Sequence, residues 1–217
     1  MEEPDGKKKP GIMDEGTTRG SDTLSKLATN KRRPGDDSMR SRFISATTSL
    51  LRESGSVGGS IRAICDVVGV KPPTLYHYFG DLETLRNSVL DAVVTEYFAA
   101  KNARPGARDP FTRLRNAWDN FIAFSIDEPH IYTLLVQQHF SGHLPQSIID
   151  AHLNLTNDLR EIAAIHPMRY SPELSSQMFT SALLGTVAML AAQNAGVPKV
   201  DHLSAVMREE TFRAFLG

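Results

Sequence analysis

The sequence predicts an all-α protein of about nine helices, in which three short helices precede a larger helical body. Apolar residues recur at helical spacing in one segment after another, and Pro or Gly separates the segments. No segment alternates polar and apolar residues as a half-buried strand would, and no internal repeat is visible. Hydrophobic residues make up 41% of the 217 residues, so most of the chain can bury a core.

Composition narrows the classes of protein to which this chain can belong. No apolar run approaches the ~18 residues that a membrane span requires, so we expect no contact with a membrane. The N-terminal stretch MEEPDGKKKPGIMDEG is charged and lacks the apolar region of a secretory signal. The single cysteine, Cys65, cannot form an internal disulfide, which agrees with a reducing compartment. We therefore expect a cytoplasmic protein.

Charge is unevenly distributed along the chain. Residues 31–80 contain eight Lys or Arg and four Asp or Glu, which gives this segment a charge of +4. Because the net charge of the whole chain is −1, the other residues together carry a charge of −5. A basic module on an acidic body is typical of nucleic-acid binding, although surface charge also fluctuates by chance. Residues 1–36 lack an apolar period and predict a disordered arm. Its closing run NKRRPGDD is either a phosphate-binding tail or a solvated one.

The first two helices are short and end at glycines. From Ser38, one helical face carries the apolar or small residues Phe43, Ile44, Thr47, Leu50 and Leu51. Gly55 is the expected left-handed cap of this helix. Ser60 opens a second helix of about two turns, which Gly69 closes. Because a helix this short is not stable alone, it must pack on its neighbours.

Two prolines fix the start of the third helix in the stretch GVKPPTLYHYF. A residue before proline avoids helical angles, so Lys71 and Pro72 are expected to be extended and Pro73 to take the first helical position. Steps of 100° place Leu75, Tyr78 and Phe79 on one face, Pro73, Thr74 and His77 on the other, and Tyr76 on the flank. Residues 37–80 are therefore predicted to form a helix-turn-helix with a hydrogen-bonding outer face.

The body, residues 81–217, is predicted to contain six more helices. Asp81 and Asp109 are expected to cap the first two of them. Pro and Gly bound the six segments, which run from 82 to about 101, 110 to 128, 129 to about 140, 148 to 165, 172 to 194, and about 200 to 216.

The stretch SLLRESGSVGGSIRAICDVVGVKPPTLYHYFGDLETLRNSVL resembles the N-terminal DNA-binding domain of TetR-family transcriptional regulators. The matching positions are Gly55, Ser60-Ile61, Ile64-Cys65, Val68-Gly69-Val70 and the run from Thr74 to Phe79. The family often has Ala where Cys65 stands, Gly where Pro73 stands, and Lys where Leu82 stands. The resemblance implies a transcriptional regulator rather than an enzyme, acting as a repressor that a small molecule releases and needing no cofactor.

The resemblance also implies roles for individual residues. Ser60 and Tyr76 would bind phosphates, and Arg62 would reach a guanine edge or a phosphate. Lys71, Pro72, Thr74 and His77 would line the entry and the outer face of the recognition helix. Arg40 and Arg42 would contact the DNA backbone. The alternatives are that Arg62 is simply solvated and that His77 only packs on Tyr76.

Two features of the body suggest partners. An aromatic and Met-rich set is expected to form core and, in part, to line a cavity between helices: Trp118, Phe121, Phe124, Tyr132, Met178 and Met189. The resemblance implies that such a cavity binds a small apolar effector. The segment SALLGTVAMLAAQ is apolar nearly all round, so it must be covered on several sides. With the last helix it fits the family's homodimer interface, and a two-fold dimer suits a near-palindromic DNA site.

A second hypothesis concerns three histidines. His139 and His143 are four residues apart and His152 follows nine later, so a metal-dependent all-α enzyme is the alternative function. Gly142 and Pro145 interrupt the helix on which a shared metal would depend, which favours a polar loop instead.

Overall fold

The computed structural model describes residues 34–101, 109–194 and 202–216. Within these ranges the chain forms nine α-helices and no strand, which confirms the all-α prediction. The helices are α1 Pro34–Gly58, α2 Ile61–Val68, α3 Pro72–Phe79, α4 Leu82–Lys101, α5 Pro110–Asp127, α6 Pro129–Ser141, α7 Gln146–Ile165, α8 Pro172–Asn194 and α9 Leu203–Leu216. Most of the predicted arm lies outside the described residues.

The first helix differs from its prediction at both ends. α1 begins at Pro34, four residues before Ser38, because proline is well tolerated in a first helical turn. Gly55 has the expected positive φ of 59°, but its ψ of −148° lies outside the left-handed helical region. The chain therefore kinks at Gly55 instead of ending there, and it resumes a short helical stretch to Gly58.

The third helix begins one residue earlier than predicted. Lys71 is extended, with φ −91° and ψ 154°, as the proline after it requires. Pro72, not Pro73, takes the first helical position, so both prolines lie in the first turn, where their missing N–H groups leave no bond unmade. The prediction of an extended Pro72 was wrong.

Capping side chains explain where the body helices start. Asp81 Oδ1 accepts a hydrogen bond of 2.7 Å from the Thr84 N–H at the start of α4. Asp109 Oδ2 accepts one of 2.9 Å from the Thr112 N–H at the start of α5. Hydrogen bonds lower the pKa of both carboxyl groups, because they stabilise the charged form. The main donors are the Thr112 hydroxyl, followed by the Thr112 N–H, for Asp109 and the Thr84 N–H for Asp81. Asp81 and Asp109 are thus the caps that the sequence predicts.

Two hydrophobic clusters form the core. The first contains buried residues of α1 to α4 together with Phe124 of α5 and three residues of α6. The second contains buried residues of α5, α7, α8 and α9. Phe121 and Tyr132 pack against both clusters and so connect them. The first cluster crosses the predicted domain boundary at residue 80, so α1–α3 share their core with α4 and α6.

α8 is the most apolar helix of the body. Over Pro172–Gln193 it is long and apolar enough to cross a membrane, judged by length and composition, and it is the one such helix in the described ranges. A core helix of a water-soluble protein meets the same criterion. Its side chains Phe179, Leu183 and Val187 belong to the second cluster, so α8 is a packed helix of the body.

Candidate nucleic-acid interface

The inner face of α3 is anchored by aromatic contacts. Leu75 is fully buried and Phe79 is 5% exposed. The Phe79 ring meets the Phe43 ring of α1 edge-to-face, with ring centroids 5.7 Å apart. The centroid of the Tyr78 ring lies 6.2 Å from that of the Phe43 ring. These contacts fix the rotation of α3 about its axis, so the side chains on the opposite face of the helix must face outward.

The outer face of α3 carries the side chains that the sequence predicts there. Pro73 and His77 are exposed, Thr74 is half-buried, and Tyr76 is 46% exposed. Lys71 is exposed immediately before the helix. The His77 ring packs edge-on against Tyr78, at 5.2 Å, and not against Tyr76. One short helix thus presents a cation, a hydroxyl, a phenol and an imidazole beside each other.

The start of α2 lies in the same part of the chain and is also open. Ser60 is exposed, and its Oγ accepts a hydrogen bond of 3.3 Å from the Ala63 N–H, which caps α2. The Arg62 side chain is 94% exposed and its Nε lies 3.9 Å from an Asp66 carboxylate oxygen. An ion pair this exposed contributes little stability, so it restrains Arg62 only weakly.

The turn between α2 and α3 depends on Gly69. Its φ of 76° and ψ of 36° are left-handed helical angles, which an L side chain adopts only with strain. The N–H groups of Gly69 and Val70 both donate to the Cys65 carbonyl, at 2.9 and 3.0 Å. Burial raises the pKa of the Cys65 thiol, which is 2% exposed and part of the core.

Arg40 and Arg42 are directed toward the protein's own backbone. Arg40 Nη1 donates to the Tyr78 carbonyl, and its guanidinium carbon lies 4.2 Å from the centroid of the Phe79 ring. Arg42 Nη2 donates to the Val68 carbonyl at 2.9 Å. The sequence indicated two basic residues near the helix-turn-helix, but it gave no signal for these backbone partners.

The six side chains predicted for an effector cavity are distributed between the two hydrophobic clusters and the surface. Trp118 is fully buried in the second cluster, where its Nε1 donates to Ser204 Oγ at 3.0 Å. Phe124 is fully buried in the first cluster, whereas Met189 is 48% exposed. Phe121 and Tyr132 lie between the clusters, and burial raises the pKa of Tyr132. Met178, on α8, is half-buried.

Two clefts lie elsewhere in the described residues, and both include Arg86 in their lining. One, of about 230 Å³, lies between α1, α4 and α6 and includes Gly55 and His130. The other, of about 250 Å³, lies between α4 and α6 and includes Glu83 and His143. Periodicity could not reveal these clefts, because their lining residues come from three helices separated along the chain.

The three histidines do not form a metal site. Among the residues that the structure describes, no three His, Cys, Asp or Glu side chains are grouped closely enough to hold a metal ion. His143 Nδ1 lies 3.3 Å from Ser141 Oγ, and His152 Nε2 lies 3.3 Å from Thr180 Oγ1. The hypothesis of a histidine-dependent metalloenzyme is therefore not supported.

Known proteins share both the N-terminal sequence and the whole fold. Residues 43–89 match the family described as bacterial regulatory proteins, tetR family. A TetR-family transcription regulator from Marinobacter aquaeolei VT8 is 19% identical, with a TM-score of 0.60 over 83% of this chain and 97% of its own. A regulator of the same type from Shewanella sp. PV-4 is 18% identical, with a TM-score of 0.62 over 82% of this chain and 98% of its own.

A structure of RolR in complex with its ligand resorcinol is 15% identical, with a TM-score of 0.63 over 83% of this chain and 89% of its own. A search of curated proteins finds no match. The match over residues 43–89 agrees with the likeness in fold, which covers 82–83% of the chain. Residues 43–89 thus match the tetR family of bacterial regulatory proteins, and the chain has the fold of the TetR-family regulators to which it is similar.

Proposed function

We propose that this protein is a sequence-specific DNA-binding repressor whose recognition helix is α3. The observation that carries the proposal is the division of α3 into two faces. Leu75 and Phe79 are buried, while Lys71, Tyr76 and His77 remain accessible beside them. An α-helix of this size fits the major groove of B-DNA, where base edges can be distinguished.

Each accessible side chain has chemistry that suits one part of a DNA duplex. Thr74 reads a base edge or a thymine methyl group, and Lys71 and His77 line the same groove with Pro72 at its entry. Ser60 and Tyr76 donate to phosphates and so fix the register of α3 on the duplex. Arg62, whose side chain is 94% exposed, reaches a phosphate or a guanine edge.

The protein acts as a homodimer through α8 and α9. A stripe along α8 is exposed and carries no charge, and it consists of Leu174, Gln177, Ser181, Gly185, Ala188 and Met189. Val206 of α9 is also 54% exposed. Apolar and small side chains at helical spacing suit close contact with a second helix pair. Two copies would place two α3 helices on the half-sites of a near-palindrome.

A small molecule that binds in the body releases the repressor from DNA in the cytoplasm. The complex of RolR with resorcinol is an example of a protein of this fold that binds a small aromatic ligand. In this chain the boundary between the two hydrophobic clusters, at Phe121 and Tyr132, is the position where a ligand would separate α5 from α6. A ligand there would act on the packing between the body and α1 through α4 and α6.

Selection of duplexes from a random pool by the purified protein tests the DNA-binding proposal. The selected duplex should bind more tightly than an unselected one, and Thr74→Ala should weaken binding by about 5- to 150-fold, which corresponds to a lost base contact of about 1–3 kcal/mol. Tyr76→Phe should weaken binding to both duplexes, because it removes a phosphate donor.

Matched variants on the body control for the loss of a hydroxyl group. Thr95→Ala on α4 and Tyr170→Phe before α8 alter exposed side chains away from α3, so they should leave the affinity unchanged. The proposal is wrong if the protein enriches no sequence from the pool and retards no duplex at low salt.

A further inference from the structure

The last carbonyl groups of α2 and α3 need partners that the glycine caps do not supply. Helix ends leave backbone carbonyls without an intrahelical donor. At the end of α2, the N–H groups of Gly69 and Val70 both donate to the Cys65 carbonyl. At the end of α3, the Gly80 N–H donates a hydrogen bond of 2.8 Å to the Tyr76 carbonyl. The carbonyls of Val68 and Tyr78 lie closer to the helix ends than these two acceptors.

α1 supplies an arginine to each of these two carbonyls. Arg42 donates to Val68 at 2.9 Å, and Arg40 donates to Tyr78. Both arginines therefore lie at the negative end of a helix dipole, where a cation is favoured. Hydrogen bonds from a charged donor are about twice as strong as neutral ones, so the two bonds are effective restraints on short helices.

Arg40 is held by a second contact. Its guanidinium group lies over the face of the Phe79 ring, at 4.2 Å from the centroid, while the same ring meets Phe43 on α1. The planar group thus joins a backbone carbonyl and an aromatic face that both belong to the last turn of α3. A guanidinium suits this double contact better than an ammonium, because it is planar and weakly hydrated.

We propose that Arg40 and Arg42 are positioning residues that set the orientation of α3 and α2 on α1, rather than contacts to DNA phosphates. The proposal rests on the DNA-binding function proposed above. Arg40 fixes the C-terminal turn of α3, and Arg42 fixes the C-terminal turn of α2. Together they hold the two helices of the helix-turn-helix at the angle that the groove requires.

The two roles differ in how binding responds to salt. A lost phosphate contact lowers the slope of log Kd against log salt concentration by about 0.9, and it weakens binding to every sequence. A lost positioning contact leaves the number of phosphate contacts unchanged. It misaligns the base-reading side chains, so it weakens the selected duplex more than an unselected one.

Fluorescence anisotropy with the selected and an unselected duplex, at several salt concentrations, distinguishes these roles for Arg40→Met and Arg42→Met. We expect each variant to bind the selected duplex about tenfold more weakly, or about 1.4 kcal/mol, with the wild-type salt slope and a smaller ratio between the two duplexes. Arg160→Met, which alters an exposed arginine of α7, should match the wild type in all three quantities. A salt slope reduced by about 0.9 or more, with equal losses on both duplexes, would overturn the proposal.

Arg40→Lys provides a second comparison. Lysine binds phosphates well but lacks the planar group that stacks on Phe79 while donating to Tyr78. We therefore expect Arg40→Lys to resemble Arg40→Met. A lysine variant that binds like the wild type while the methionine variant does not would assign Arg40 to the DNA backbone.

Hydrogen exchange without DNA tests positioning independently of the proposed function. Arg40→Met should speed exchange of α3 amides, and Arg42→Met should speed exchange of α2 amides, while α7 to α9 exchange at the wild-type rate. Should Arg40→Met not fold, Arg40→Lys serves for the same measurement. Unchanged exchange in α2 and α3 contradicts the positioning role even where the wild type binds DNA. Faster exchange in a protein that binds no duplex would uphold the restraint and refute the DNA-binding proposal alone.

Discussion

The helix pair α2–α3 and the helix pair α8–α9 leave opposite kinds of surface uncovered. α2 and α3 have eight residues each, and Arg62 and His77 on them and Lys71 immediately before α3 are exposed. α8 has 23 residues, and its exposed stripe of small and apolar side chains bears no charge. Hydrogen-bonding groups suit a polyanion, whereas an uncharged stripe suits another protein helix. The difference agrees with the two partners proposed for these surfaces, a DNA duplex and a second copy of the chain.

Removal of one buried ring from each region should give the largest effects and separate folding from DNA binding. Phe79→Ala and Phe179→Ala should each lower the free energy of unfolding by about 3–5 kcal/mol, because both side chains are at most 5% exposed. Urea denaturation measures this loss. Phe79→Ala should also abolish DNA retardation below the unfolding transition, whereas folded Phe179→Ala should retain it.

The reason for the contrast is that Phe79 orients α3, whereas Phe179 packs against Trp118 and Phe212 in the second cluster. Equal losses of DNA binding in the two folded variants would show that the clusters do not act separately.

A charge in the uncovered stripe of α8 should separate the proposed dimer. Ser181→Glu places a carboxylate in the middle of the stripe, and an unpaired buried charge costs about 3–5 kcal/mol. Sedimentation velocity should show a dimer for the wild type and a monomer for Ser181→Glu. Ala164→Glu adds the same charge to an exposed position of α7 and should remain dimeric. A monomeric wild type would contradict the proposed homodimer, and a dimeric Ser181→Glu would place the dimer contact elsewhere.

The same substitution at two glycines should have opposite signs in the two regions. An added Cβ meets no atom within 4 Å at either Gly69 or Gly185, so backbone conformation alone decides the outcome. Gly69→Ala should cost about 1–2 kcal/mol, because φ is 76°. Gly185→Ala is made in the Ser181→Glu background, where Gly185 lies in a helix without a dimer partner. There it should raise the free energy of unfolding by about 0.5–1 kcal/mol. Denaturant titration measures both, and equal signs would contradict the assigned role of Gly69.

The smallest effect should come from His152. Burial, and secondarily the nearby charge of His139, lowers its pKa below the ordinary value of 6.5. At pH values between the lowered pKa and about 6.5, the unfolded chain binds a proton at His152 more readily than the folded chain does. The free energy of unfolding therefore falls as the pH drops below about 6.5. When the pH is lowered from 7 to 5, the free energy of unfolding of His152→Gln should therefore decrease less than that of the wild type. An identical pH dependence in both proteins would mean that His152 titrates normally when folded.

The N-terminal helices could be predicted closely from the sequence because local rules act there. Proline geometry, a glycine cap and 100° steps were sufficient for the extended Lys71, the cap at Gly69 and the inward Leu75 and Phe79. The error of one residue at Pro72 arose because a second proline is compatible with the first helical turn as well as with an extended chain.

The remaining features depend on contacts between distant segments. The backbone partners of Arg40 and Arg42 lie 38 and 26 residues away, so no local pattern indicates them. The same holds for the clefts beside Arg86. The predicted cavity residues were chosen for their chemistry, and that criterion does not distinguish a core side chain such as Trp118 from an exposed one such as Met189.

Photo-crosslinking tests the central claim, that the outer face of α3 lies against DNA. p-Benzoylphenylalanine is placed singly at position 77, at position 62, and at position 165 of α7, where Ile165 is 70% exposed. In complexes with the selected duplex, positions 77 and 62 should crosslink to DNA, and position 165 should not. Retained binding with no crosslink at 77 or 62, or with a crosslink at 165, would contradict the account.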